Sequence, residues 1–334
     1  MKSQYVNELA EGTRVDAQFA LQMKEMRATR SGDAYLALDL ADKTGRVPAV
    51  YFRPDAEATA IPVGSVVRAR GTVTSYRGTK RISIDSMKPA RQWEAEDLIA
   101  SGPRPREELV DELRALVASV QSADLKAVVR SVFADREFFE RFVRCPGSQS
   151  YHHAYVGGLL EHTVSVAGMC RSLAAQYPGV DVELLVAAAL LHDIGKCDEL
   201  SFETSIEYTD AGRLMGHVVL GIRRVHDAIG RVRAPRSAER LMRLEHAILS
   251  HHGELEWGSP KRPSTIEALL LHHIDNLDAK AAGFSALLGG AVRAEESWTD
   301  SANLFRRPLY APKAVEDERS YRPEEDAQHA RLSA

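Results

Sequence analysis

The chain has 334 residues, of which 44% are hydrophobic and 27% charged, and carries a net charge of −4. That is the profile of a globular protein with material for two domains, and it excludes both a disordered polyelectrolyte and an overall polycation. Three cysteines without CxxC spacing exclude a disulfide framework and a thiolate zinc site, and no apolar run approaches the ~20 residues of a membrane helix.

The first ninety residues read as strands. Val15, Ala17, Phe19, Leu21 and Met23 alternate with mostly polar neighbours, and Leu36, Leu38 and Leu40 repeat the period-two pattern. Asp42–Gly45 is a turn, "RVPAVYF" a third strand, Val63–Tyr76 a fourth and "KRISID" a fifth. Pro48 places the third strand at an edge or a bulge. Five short strands with a longer connection between the third and fourth suggest a small closed barrel of the oligonucleotide/oligosaccharide-binding (OB) type, with an SH3-like barrel as the alternative. This segment, 1–90, holds fourteen Lys/Arg against ten Asp/Glu, so the remainder carries −8. Arg68, Arg70, Arg77, Lys80 and Arg81, with Tyr35, Tyr51 and Tyr76 in or beside the strands, form a candidate single-strand surface in which charge tracks phosphates and rings stack on bases. A solvated charged face over core aromatics is the competing reading.

Residues 91–130 read as a linker, punctuated by Pro103 and Pro105, followed by a helical connection in which Leu109, Leu113, Leu116, Val117 and Val120 show helical spacing. From 131 to 300 the pattern is helix after helix. The last residues, 312–334, are polar and charged and read as a disordered tail.

Histidine marks the helical half: eleven of twelve lie between His152 and His273. His162, the pair His192–Asp193, His217, the pair His251–His252 and Asp275 recur about twenty-five to thirty-five residues apart, near the period of successive helices in a bundle. Each could project from its own helix into one cavity. Buried polar groups cost several kcal/mol unless partnered, and divalent metals would partner these. Asp193, with two oxygens, could bridge two ions, and two ions about 3.5–4 Å apart can clamp an in-line displacement at phosphorus. An imidazole-rich set favours Mn, Fe, Co, Ni or Zn over Mg. Lys196 lies one turn beyond Asp193, where it could stabilise a phosphoryl oxygen or simply cap its helix. Trp257 could stack on a base or pack against the fold.

The ordered set His…His-Asp…His…His-His…Asp resembles the HD-domain metal-dependent phosphohydrolases. With "HHAYVGGLLEHT", "LLHDIGK", "ILSHHGELEWGSPKRP" and "LLHHIDNLDAK" it resembles the branch of YhaM-type 3′→5′ exoribonucleases over about residues 8–300. The resemblance implies an OB barrel followed by an all-α HD domain. It also implies His162, His192, Asp193, His217, His251, His252 and Asp275 as ligands of two divalent ions, Mn²⁺ first, with Asp193 and Lys196 catalytic. The implied activity is hydrolysis of single-stranded RNA, or DNA, from the 3′ end to nucleoside 5′-monophosphates. The partner is then a single strand rather than a membrane, and a homo-oligomer is compatible with it. The N-terminus lacks an apolar core of signal-peptide length, so the expected compartment is the cytoplasm. Two alternatives stand: a phosphohydrolase of nucleotides or cyclic dinucleotides with a regulatory barrel, and a non-catalytic nucleic-acid-binding protein with structural metals.

Overall fold

In the N-terminal half, alternation is enough to close a sheet on itself. Strands β1 (Arg14–Ala28), β2 (Ala34–Asp42), β3 (Gly45–Phe52), β4 (Val66–Tyr76) and β5 (Thr79–Pro89) form a closed barrel in the order β1-β2-β3-β5-β4, which resolves the strand count in favour of the OB topology. Phe19, Leu21, Leu36, Leu38, Leu40, Ile82 and Met87 fill its interior. A computed structural model describes residues 2–29, 31–76, 78–233, 235–293 and 296–312 of the chain. Arg77, in the β4–β5 turn, and the tail from 313 onward lie outside the described residues.

Two expectations for the barrel change. Met23 does not continue the inward set: the β1–β2 register slips between Leu21 and Met23, and such a bulge reverses the facing of the residues beyond it, leaving Met23 40% exposed. Pro48 does not make β3 an edge strand. It sits opposite Asp39 of β2, and the parallel ladder to β5 begins only after it, at Ala49↔Ile82, so the missing N–H removes no bond from that ladder.

The β3–β4 connection carries α1 (Ala56–Ala60), capped by Asp55. After the barrel come α2 (Ala95–Leu98), α3 (Arg106–Ser119), α4 (Ala123–Phe133) and α5 (Arg136–Phe142). The core of the helical region reaches back into the stretch read as a connection, because Leu109, Leu113, Leu116, Leu125 and Val128 belong to the same buried cluster as Leu190. At its centre α6 (Gly158–Ala174) packs on α7 (Val182–Leu191), a helix apolar on every face and therefore buried on every face from Leu184 onward. A short α8 (Lys196–Glu199) leads into a two-stranded ladder, β6 (Leu200–Ser201) with β7 (Glu207–Tyr208), the one piece of sheet described in a region that reads as purely helical. Then follow α9 (Asp210–Gly230), α10 (Ala238–Leu249) and α11 (Ile266–Arg293). Val66 of the barrel meets Leu98, Ile99 and Val156 in a small apolar cluster, and Thr204 donates to the Gly64 carbonyl at 2.8 Å.

The chain divides into a unit 1–280 and a unit 281–334. In the latter, Trp298 bridges Tyr310, with ring centroids 5.2 Å apart. No helix among the described residues is long and apolar enough to cross a membrane.

Candidate metal centre

The site is assembled where helices end. Helix α7 stops at Leu191, and the last carbonyls of a helix lack intrahelical partners. His192 answers one of them, donating from Nδ1 to the Ala189 carbonyl at 2.8 Å. Helix α10 repeats the device, with His251 Nδ1 donating to the Ile248 carbonyl at 2.7 Å. Because a carbonyl only accepts, each ring donates from Nδ1 and turns its Nε2 inward, the atom that becomes the free lone pair once the ring is neutral.

The other three imidazoles are fixed the same way. His162, inside α6, donates from Nδ1 to Asp278 Oδ2 at 2.7 Å. His252 donates to the Trp257 carbonyl at 2.9 Å. His217 follows Gly216, whose φ of 72° breaks α9 and starts a fresh helical run. Glu199 then serves His217 twice, accepting from its backbone N–H at 3.0 Å and from Nδ1 at 3.0 Å. Gly195 lets the turn after Asp193 lie against this segment, since a Cβ there would come within 2.0 Å of the His217 carbonyl oxygen.

Five Nε2 atoms and two carboxylates therefore converge in two groups that share Asp193. Around Oδ2 of Asp193 stand His162 Nε2 and His192 Nε2, each 3.4 Å away, with Asp275 Oδ1 at 3.1 Å from His162 and 3.7 Å from His192. Around Oδ1 stand His217 Nε2 at 3.3 Å and His251 Nε2 at 3.5 Å, with His252 Nε2 at 3.1 Å from His217. His162, His192, Asp193 and His251 are each at most 2% exposed. All seven residues singled out in the sequence are brought together.

The electrostatics are those of a place that attracts cations. Burial opposes charge on Asp193, yet Lys196 and His192 hold its carboxyl well below the usual range, and Asp275 is likewise depressed beside His162 and His192. Burial also opposes charge on His192, but Asp193 and Asp275 outweigh it and raise its pKa to about 9. Burial and the neighbouring imidazoles of His251 and His217 push His252 down to about 3. Lys196 does not cap the end of α7: it opens α8, and its Nζ lies 2.6 Å from Asp193 Oδ2.

Three buried atoms at the centre, both Asp193 oxygens and His251 Nε2, have no well-formed hydrogen bond. Two pairs of Nε2 atoms face each other at 3.2 and 3.1 Å, His162 with His192 and His217 with His252. Such atoms require a partner, and nitrogen–oxygen donors at this spacing fit divalent ions with bonds of about 2.1 Å.

Sequence reading missed the supports. Asp278 accepts from His162, contacts His153 Nε2 at 3.0 Å and accepts a short hydrogen bond from Ser165. Its signal was present, since Asp275 and Asp278 are three apart on one helix and share a face. Glu199 carried no such signal. His153 also contacts the Tyr155 hydroxyl at 2.8 Å, so both its ring nitrogens are engaged away from the two groups. His152 lines a cavity of about 200 Å³ together with Asp193, Lys196, His252, Trp257 and Asp275. Of the histidines assigned no role, His272 donates to the His251 carbonyl at 2.8 Å, His246 accepts from the Ser264 N–H, and exposed His226 pairs with Glu245.

The barrel candidates separate. Tyr51 is a correction: its ring is in the barrel core, 7% exposed, with its hydroxyl on Asp55, so it is not placed to stack on a base. Phe52, 47% exposed, instead stands beside Tyr35 with centroids 5.5 Å apart. Arg68 and Arg70 share Asp16, at 2.6 and 3.0 Å. Arg81 lies over the ring of Tyr76 at 4.4 Å, and Lys80 reaches the Leu9 carbonyl.

Comparison with known proteins agrees with both halves. Residues 159–280 match the HD domain and residues 21–90 the OB-fold nucleic acid binding domain. The protein named 3′-5′ exoribonuclease YhaM from Geobacillus sp. (strain WCH70) is 32% identical over 274 residues, covering 80% of this chain and 83% of the relative. Its namesake from Bacillus subtilis (strain 168) is 32% identical over 274 residues, covering 80% of this chain and 86% of the relative. At this identity and coverage, the chain belongs to the family of the YhaM 3′-5′ exoribonucleases.

Proposed function

We propose that this protein is a divalent-metal-dependent exoribonuclease that removes nucleotides from the 3′ end of single-stranded RNA. The observation that carries the proposal is the bridging geometry of Asp193, each of whose oxygens faces its own group of inward Nε2 atoms. His162, His192 and Asp275 would hold one ion, His217, His251 and His252 a second, and Asp193 both. The donor set favours Mn²⁺ or another imidazole-accepting transition ion over Mg²⁺. When bound, such ions supply Lewis acidity and activate water at neutral pH.

The protein's own groups do the rest. Asp278, Glu199 and the carbonyls of Ala189, Ile248 and Trp257 lock the imidazole tautomers, so the donors need no rearrangement on loading. Lys196, buried against Asp193 and lining the cavity, keeps a fixed positive charge where a phosphoryl oxygen would sit. The barrel would collect the strand through exposed cations and the Tyr35–Phe52 pair. The polarity is that named for the relatives. The buried, free cysteines Cys145, Cys170 and Cys197 support a reducing, cytoplasmic setting.

A timed digestion of 5′-labelled single-stranded RNA with Mn²⁺ tests the proposal. A ladder shortening by single nucleotides from the 3′ end is expected, with single-stranded DNA as a parallel arm. Internal cuts, or hydrolysis of mononucleotides alone, would contradict it.

A further inference from the structure

The cavity beside the metal centre is lined by two chemically different sets of residues. Asp193, Lys196, His252 and Asp275 supply its ionic lining next to His152, and Trp257, His272, Asn276 and Ala279 supply the remainder. The second set supplies none of the ligands, yet it is built with care. Trp257 closes a 3-10 turn, Leu255–Trp257, that ends on Gly258 at φ 82°. Its carbonyl accepts from His252 Nδ1 at 2.9 Å, and its N–H donates to the Glu254 carbonyl at 3.1 Å. The indole lies tilted by 39° against His272 at 5.9 Å, with Lys280 Nζ 6.0 Å from the ring centroid. Despite these fixings the residue is 54% exposed. A large ring held in place at the mouth of a reactive cavity, and not spent on the core, is a stacking platform. Beside it, the Asn276 amide has no hydrogen-bond partner among the described residues, so it is free to read a sugar or base edge.

We infer that this second set forms the pocket for the 3′-terminal nucleoside, with the base stacked on Trp257 and the sugar or base edge met by Asn276. The inference rests on the exoribonuclease reading and adds to it how the end of the strand is grasped: by the π-face every base has, hence with little base preference. The turn ties this grip to the metal centre, because the residue whose ring stacks is the one whose carbonyl orients His252.

The test compares two RNA oligomers, one ordinary and one whose 3′-terminal nucleotide is abasic, on wild type, Trp257→Phe and Trp257→Ala under Mn²⁺. Removal of the first nucleotide is followed as kcat/KM. Wild type should favour the ordinary end by roughly ten- to a hundredfold, the value of one base stacked on an aromatic ring. Trp257→Ala should bring the ratio of kcat/KM between the ordinary and the abasic end close to one, whatever its rate on either, and Trp257→Phe should keep most of the preference. Equal slowing of both substrates by Trp257→Ala would mean that the ring only supports His252, and no wild-type preference would mean that the base is not gripped; either overturns the inference. Failure of wild type to shorten the ordinary oligomer at all would instead refute the exoribonuclease reading.

Discussion

The barrel and the helical domain both offer polar side chains to a nucleic acid, but under opposite physical conditions. In the barrel, Arg68 and Arg70 stand in water with side chains 54% and 59% exposed, sharing the one carboxylate of Asp16. In the helical domain, imidazoles at 0% exposure turn their Nε2 atoms toward one another, each held from behind by a carbonyl or a carboxylate. A solvated charge is satisfied wherever it points, so its orientation carries little information. A buried, convergent lone pair is tolerated only if something binds it, so its orientation states a chemistry. The barrel should therefore contribute affinity spread over many weak contacts, and the helical site a reaction that depends on single atoms.

Substitutions should divide along the same line. Asp193→Ala removes the atoms common to both groups, and hydrolysis should fall to background while RNA binding measured by anisotropy stays within about twofold, since the barrel's phosphate contacts are untouched. Wild-type turnover in that variant would erase the distinction. Removing a support rather than a ligand should cost less: Asp278→Asn and Glu199→Gln should each weaken metal affinity or activity by about 10–100-fold, as losses behind a ligating histidine do. Titration of Mn²⁺ against activity would show this as a rightward shift.

In the barrel the sign reverses. Phe52→Ala or Tyr35→Ala should weaken RNA binding roughly tenfold, within the range for one base–aromatic contact, and leave kcat at saturating RNA unchanged. Tyr51→Phe should not alter Kd, because that ring is in the core. Arg81→Ala should lower the slope of log Kd against log salt, as loss of a phosphate contact does.

Legibility in the sequence follows the same physics. The seven candidate ligands were readable because His and Asp are costly inside an apolar domain, and their recurrence at helical-bundle spacing lets one shared cavity satisfy them all. Glu199 was not readable, for its partner His217 is eighteen residues away and is met only because Gly216 breaks a helix and Gly195 admits a close approach. Alternation gave the barrel its strands, but a single-residue bulge after Leu21 turned Met23 outward, and composition does not encode such a slip. Tyr51 and Phe52 show the limit most directly: adjacent aromatics on one strand must face opposite ways, and only the register says which one faces the core.

The smallest expected effect lies in the helical domain but away from its metal centre. Glu267, buried, accepts from Arg243 at 2.7 Å and from the Asp181 N–H at 3.0 Å; burial opposes its charge, but these partners hold its carboxyl below the usual range. A carboxylate depressed on folding adds stability that is fully present above its unfolded pKa, near 4.5, and is lost as pH falls through the lower folded value. Melting curves should thus show a Tm difference between wild type and Glu267→Gln that is constant at neutral pH and shrinks below about pH 4.5. A difference independent of pH would remove the ion pair from the account.

The central claim is that one carboxylate joins two sets of imidazoles around two cations. Elemental analysis of the purified, Mn²⁺-loaded and desalted protein tests it most directly. Close to two equivalents of transition metal per chain are expected in wild type, with a marked loss in Asp193→Ala of intact secondary structure; no bound metal in wild type, or the same content in both, would contradict it.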